Sequence, residues 1–181
     1  MNKTQLIYLL ERYTEKHDEK ETVSLILSFL TRTESMPVQH SHGHLTGSAW
    51  LVNPRRDKAF LVHHAKLDLW VQPGGHLEEG EEVVDASRRE CMEETGINEI
   101  RLLDEDIFDI DIHLFPERMG NEAHTHFDIR FLFEAESENG FEISDESHDG
   151  GWFALGDIDR LNDSESISRM VRKTRLPGPG S

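Results

Sequence analysis

A glycine-bracketed acidic helix constrains this chain more than any other stretch. The run Gly75-x5-Glu81-x7-Arg89-Glu90-Cys91-x-Glu93-Glu94-x-Gly96-Ile97 predicts a helix from about residue 82 to residue 95. Gly96 stops it, because glycine takes the positive φ of the position after a helix without steric cost. On such a helix Glu90 and Glu94 lie one turn apart on one face, and Glu93 borders that face. Three converging carboxylates repel one another unless a cation sits between them. The spacing therefore points to a divalent-metal site, and hard carboxylate oxygens suit Mg²⁺ or Mn²⁺.

The rest of the chain supplies a sheet for this helix to cover. Alternating or continuous apolar runs predict strands at 48–52, 59–63, 69–71, 107–113 and 126–133, with another starting at Gly151. Asn53-Pro54 opens a turn between the first two, and Pro73-Gly74-Gly75 ends the third. Residues 116–122 read as a loop. Short helical segments are expected near Ile158 and over 165–173. Upstream, Leu6, Ile7, Leu9, Leu10 and Tyr13 form one apolar stripe, and Val23, Leu25, Ile26, Leu27, Phe29 and Leu30 form a broader one. They predict a helical hairpin joined by the polar stretch 15–21. A stripe that broad is either well buried or part of a subunit interface, which is compatible with a homodimer. Strands mixed with helices in this order predict the α/β class, a mixed sheet between helical layers. The expected organisation is an N-terminal helical extension (1–35), a main domain (36–175) and a disordered tail (176–181).

Composition narrows the partners. Thirty-six Asp and Glu against 19 Lys and Arg give a net charge of −17. That balance argues against nucleic-acid backbones and anionic membranes as partners. No apolar run approaches the ~20 residues of a membrane span, and the apolar run 6–10 is too short for a secretory leader. A cytoplasmic location is the expectation. Cys91 is the only cysteine; inside an apolar helical pattern it reads as a small core residue rather than a reactive thiol.

With every fixed position filled, the run from Gly75 to Ile97 resembles the Nudix box; only Cys91 stands where an aliphatic residue is common. The resemblance implies a Nudix-like α/β/α sandwich over most of residues 40–170. It also implies Mg²⁺- or Mn²⁺-dependent hydrolysis of a small-molecule phosphoanhydride by water attack at phosphorus. The bond would be the pyrophosphate of a nucleoside diphosphate linked to another moiety. By the same resemblance Glu90 and Glu94 are the principal metal ligands, and Glu93 is a further ligand or a base for water. The Gly74 carbonyl is an additional ligand, and Glu81 and Arg89 form a structural ion pair. Arg89 also has Asp85 and Glu93 at four-residue spacing, so an ordinary surface pair is open to it. A carboxylate outside the box is expected before Trp152, where Glu146 is the first choice over Asp145, His148 and Asp149 as ligand or general base.

Eleven histidines surround this motif. They cluster at His40, His42 and His44, at His63 and His64, and at His124 and His126. His124, His126, Asp128 and Arg130 share one face of a strand. That polar row either lines a phosphate or sugar pocket, with His126 and Arg130 binding substrate, or forms a helix-covered hydrogen-bond network. His76, directly after the two glycines, is a further substrate-binding candidate. Imidazoles spaced by two on a strand could also hold a second metal. Trp50, Trp70 and Phe108 fit core positions better than base-stacking ones. Two alternatives stand beside the hydrolase: an enzyme like isopentenyl-diphosphate isomerase, for which no catalytic cysteine is evident, and a non-catalytic nucleotide-binding module, against which the intact Glu90, Glu93 and Glu94 argue.

Overall fold

The computed structural model describes residues 2–33, 43–115 and 123–175. Helices α1 (Lys3–Lys16) and α2 (Lys20–Thr31) form the expected hairpin, with a shorter connection than the polar stretch suggested. Asn2 caps α1: its side chain accepts from the Gln5 N–H (3.0 Å), and the Gln5 side chain accepts from the Asn2 N–H (2.7 Å). Two otherwise unpaired donors are satisfied at once. Leu6, Leu10 and Tyr13 of α1 and Val23, Ile26 and Leu30 of α2 enter one core with the sheet. Leu25 and Tyr8 stay exposed.

The sheet has eight strands: β1 (His44–Val52), β2 (Lys58–His64), β3 (Leu69–Val71), β4 (Gly74–His76), β5 (Ile100–Leu102), β6 (Asp109–Phe115), β7 (His124–Ala135) and β8 (Ser147–Ala154). The long strands β1 and β7 run parallel at its centre, in register from His44 beside His126 to Val52 beside Glu134. All other pairings are antiparallel, so the sheet is mixed. Each central strand shares its outer edge between two short partners. β4 and β2 follow one another along β1, and β6 and β5 along β7. The sheet therefore splits at both ends.

Strand alternation sorts the two faces. Leu45, Ala49 and Leu51 of β1 and Ile129, Phe131 and Phe133 of β7 point into the larger core with α1, α2 and α3 (Val83–Thr95). Burying each phenylalanine contributes roughly 1.5–3 kcal/mol. Helix α3 seats closely on β1 because Gly47 has no side chain; a Cβ there would stand 2.7 Å from the Val83 carbonyl and 2.8 Å from Ser87 Oγ. The opposite face carries Trp50, Val52 and Leu61 against a 3₁₀ turn (Ile158–Arg160) and α4 (Glu165–Arg175). Trp50 is core, as expected, and its Nε1 donates to Thr174 Oγ1 (2.7 Å).

The strand expectations are revised at several points. β1 starts at His44 rather than Ser48 and β8 at Ser147 rather than Gly151. Gly74 and Gly75, read as a turn, belong to a short strand paired with β1. β5, unforeseen, pairs with the end of β7. His40, His42, the loop 116–122 and the tail 176–181 lie outside the described residues.

Candidate active site

Helix α3 ends at Gly96 in the left-handed conformation (φ 68°), whose N–H donates to the Met92 carbonyl. Glu90 is half-buried, Glu93 exposed and Glu94 buried. Across from them runs β4. Gly75 faces Glu90 closely: a Cβ there would lie 2.4–2.6 Å from the Glu90 carboxyl atoms and would displace that side chain. The Gly74 N–H donates to Glu94; the sequence expectation for this residue concerned its carbonyl instead.

Arg89 fixes the segment between strand and helix. Its Nε and Nη2 donate to both oxygens of Glu81 (2.9 and 2.8 Å), and Nη2 also donates to the His76 carbonyl (2.9 Å). Nη1 reaches Glu90 (2.8 Å) and Glu93 (3.2 Å). Glu81 in turn accepts from the Glu78 N–H (2.9 Å). The paired fork on Glu81 is the strong geometry for arginine and carboxylate. The ordinary helix pair with Glu93 coexists with it. Glu78, Glu79 and Glu82 are exposed.

Glu146 arrives from the other end of the chain. The Glu142 and Ser144 N–H groups donate to the carbonyls of Thr95 and Glu94 (2.8 and 3.2 Å), which the helix end would otherwise leave unpaired. The Ala65 N–H donates to the Glu146 carbonyl (3.1 Å). These bonds hold the exposed Glu146 beside α3, where its charge acts on both Glu90 and Glu94. Asp145, His148 and Asp149 are exposed; the Asp149 carboxyl accepts from the Gly150 N–H, and His148 meets the ring of His63 edge-on at 5.5 Å.

Desolvation disfavours the charged form of the two buried acids. Burial, with the charges of Glu90 and Glu146, pushes Glu94 up to about 8, and burial also raises Glu90. One Glu94 oxygen is buried with no hydrogen-bond partner. A buried oxygen left without a donor, ringed by hard anionic oxygens, fits a divalent cation of the Mg²⁺ or Mn²⁺ kind. Cys91 is fully buried with its thiol pushed up to about 12 by desolvation, so it is core and no nucleophile.

The polar row of β7 turns out to be two things. Arg130, expected at a pocket wall, is 2% exposed and covered by α4. It donates to Asp128 (2.7 Å), Asp109 (3.1 Å) and Ser166 Oγ (2.6 Å). Asp128 also accepts from Thr46, Ser48 and Gln72. This is the helix-covered network of the two readings. Asp109, which the sequence reading passed over, is its hub: Arg169 and Lys173 bind it from α4 and Tyr13 from α1. The other part is imidazole: His126 and His76 sit together with His44 and His124. Burial keeps His126 and His44 neutral, at about 2 and about 4.

Three comparisons bear on this geometry. The NUDIX domain model matches residues 43–173. An uncharacterised Nudix hydrolase of Bacillus subtilis is 35% identical over 111 residues, 58% of this chain and 63% of its own length. An RNA pyrophosphohydrolase of Bartonella clarridgeiae is 43% identical over 67 residues, 34% of this chain and 37% of its own. The chain thus spans less than two thirds of the length of these relatives. Among solved structures, the C. elegans Ap4A hydrolase in binary complex superposes with a TM-score of 0.57 at 19% identity, covering 71% of this chain and 93% of that one. That likeness shows the shared α/β fold.

Proposed function

The chain belongs to the Nudix family, and on that premise we propose that it is a pyrophosphohydrolase dependent on Mg²⁺ or Mn²⁺. Its substrate is a nucleoside diphosphate linked to another moiety. The observation that carries this reading is the Glu90, Glu93 and Glu94 cluster facing Gly74 and Gly75, with a buried Glu94 oxygen left unpartnered. In this reading residues 36–175 are the hydrolase domain and residues 1–35 an extension that shares its core.

Glu90 and Glu94, with the Gly74 carbonyl, would hold the cation, and Glu93 would add an oxygen at the exposed rim. A divalent ion held there supplies positive charge to the pyrophosphate oxygens and to the leaving phosphate. Glu146, tied to the end of α3 through the backbone around it, accepts a proton from the attacking water. The new bond joins water oxygen to phosphorus, the anhydride P–O bond breaks, and two phosphate-bearing products leave. Arg89, engaged by Glu81 and the His76 carbonyl, keeps the glycine segment against the helix. The RNA pyrophosphohydrolase relative acts on RNA by its name. A net charge of −17 disfavours a long polyanion here, so a small-molecule phosphoanhydride is the proposed substrate.

One assay tests this. ADP-ribose, nucleoside triphosphates, dinucleoside polyphosphates, nucleotide sugars and coenzyme A are each incubated with Mg²⁺ and with EDTA, and phosphate-bearing products are quantified. At least one compound should turn over with metal and fall to background with EDTA. Metal-independent turnover would contradict the proposal. On the compound so identified, Glu146→Gln should lower kcat by at least about tenfold, since a positioned general base typically contributes about 10²–10⁴-fold. A larger loss from changing Asp149 or His148 would move the proton acceptor to that residue.

A further inference from the structure

Four imidazoles gather at one end of the sheet, on the face opposite α3. His44 of β1 and His126 of β7 are direct neighbours in the parallel pairing. His124 precedes His126 by two residues and shares its face. His76 comes from β4, where it pairs with Thr46, so it points the same way as His44. The residue before it, Gly75, faces Glu90 on the other side. One ring nitrogen from each histidine lies within 4.8 Å of all the others. Nε2 of His124 and Nε2 of His126 are 3.0 Å apart. His44 packs against the rings of His76, His124 and His126 at 4.4, 4.8 and 4.7 Å between centroids.

Ordinary packing leaves this cluster unexplained. His44 Nε2 is buried with no hydrogen-bond partner, a state that native interiors avoid unless something takes up the lone pair. The side-chain donors of Thr46, Ser48 and Gln72 go to Asp128.

We propose that His44, His76, His124 and His126 form a second metal site, taking a borderline transition ion of the Zn²⁺ class. Imidazole nitrogens suit such ions, whereas Mg²⁺ prefers the oxygens of α3. Tetrahedral Zn²⁺ with Zn–N near 2.1 Å sets its ligand nitrogens about 3.4 Å apart. The separations here run from 3.0 Å to no more than 4.8 Å, on both sides of that value. His76 is exposed and gives an entry path, while His126 is buried. Four protein ligands close the shell, which makes the site structural rather than catalytic. The ion would join β4, β1 and β7 where the Gly74 N–H meets Glu94 and the His76 carbonyl meets Arg89. It would thereby hold the glycine segment from the far side of the sheet.

The test uses untagged full-length protein, stripped with chelator and titrated with Zn²⁺ against a chromogenic zinc indicator in millimolar Mg²⁺. Wild type and Glu94→Gln should each bind one Zn²⁺ with submicromolar affinity, and Zn²⁺ should raise their melting temperature. His44→Gln and His76→Gln should weaken binding by about a hundredfold or more, beyond what loss of a supporting contact gives. Should His44→Gln fail to fold, the exposed His76 variant decides alone. Failure of wild type to bind Zn²⁺ at micromolar levels would overturn the proposal. So would equal affinity in His76→Gln, or a loss confined to Glu94→Gln.

Discussion

Glu94→Gln is expected to lower kcat by about 10²–10³-fold, the scale on which removing one preorganised charge from a transition state is felt, while the chain stays folded. The amide keeps the shape of the carboxyl but cannot offer an anionic oxygen to a cation. Full activity in this variant would sink the metal assignment. The same variant carries a stability signature, read as melting temperature in EDTA. Glu94 titrates near 4.5 unfolded and is held at about 8 in the metal-free fold. Between those values the folded state binds the extra proton, so its stability falls as pH rises through that window and is fully present below it. Gln behaves as the protonated acid at every pH. Wild type should therefore lose stability relative to Glu94→Gln as pH rises from about 5 to about 8, and Mg²⁺ should restore it more in wild type than in the variant. His44 and His126 act in the opposite sense: depressed below 6.5, they are neutral in the fold and cost stability as pH falls. Both proteins share them, so the difference isolates the carboxyl. Parallel melting curves across this range would refute the raised Glu94.

The acidic helix was legible in the sequence because its determinants are local. The one-turn spacing of Glu90 and Glu94 and the Gly96 stop need no knowledge of the rest of the chain, and α3 ends where they place it. The pairing of β1 with β7 is a different matter. It joins segments some eighty residues apart in parallel, and nothing local announces it, yet it brings His44 beside His126. β4 was hidden for another reason: two glycines carry no strand signal, and only the close approach of the Ser48 backbone shows why Gly74 is needed. The alternation on β7 correctly grouped His126, Asp128 and Arg130 on one face. Whether that face met solvent or a helix depended on α4 and on Asp109, and both are distant in sequence. Asp109 itself sat in an apolar alternation, where an acidic residue reads as the solvent-facing member of the strand.

Asp109→Asn is expected to destabilise the protein by about 3–5 kcal/mol, the cost of breaking a buried ion pair by removing one partner. Asp109 is fully buried. Burial alone would raise its acid, but Arg169, Arg130 and Lys173 hold it below the usual carboxylate range. Arg169 donates to both its oxygens (2.7 and 2.8 Å), Lys173 to one (2.7 Å) and Arg130 to the other (3.1 Å). Glu19 pairs with Arg169 and Lys173 at 3.2 and 3.1 Å, so it shares part of the positive charge. Arg130, at 3% side-chain exposure, keeps the carboxylates of Asp128 and Asp111 as its charged partners once Asp109 is neutral. An amide at this position would also turn an N–H₂ toward cationic donors. Because the hub links α1, β6, β7 and α4, its loss should appear as one cooperative drop in melting temperature, on the order of 10 °C for a chain of this length. Asp109→Glu, which keeps the charge but adds a methylene to a packed site, should lose less. A melting temperature for Asp109→Asn within a degree or so of wild type, a ΔΔG too small for a buried charge left unpaired, would show that the three cations find solvent or other partners and that the network adds little to the fold.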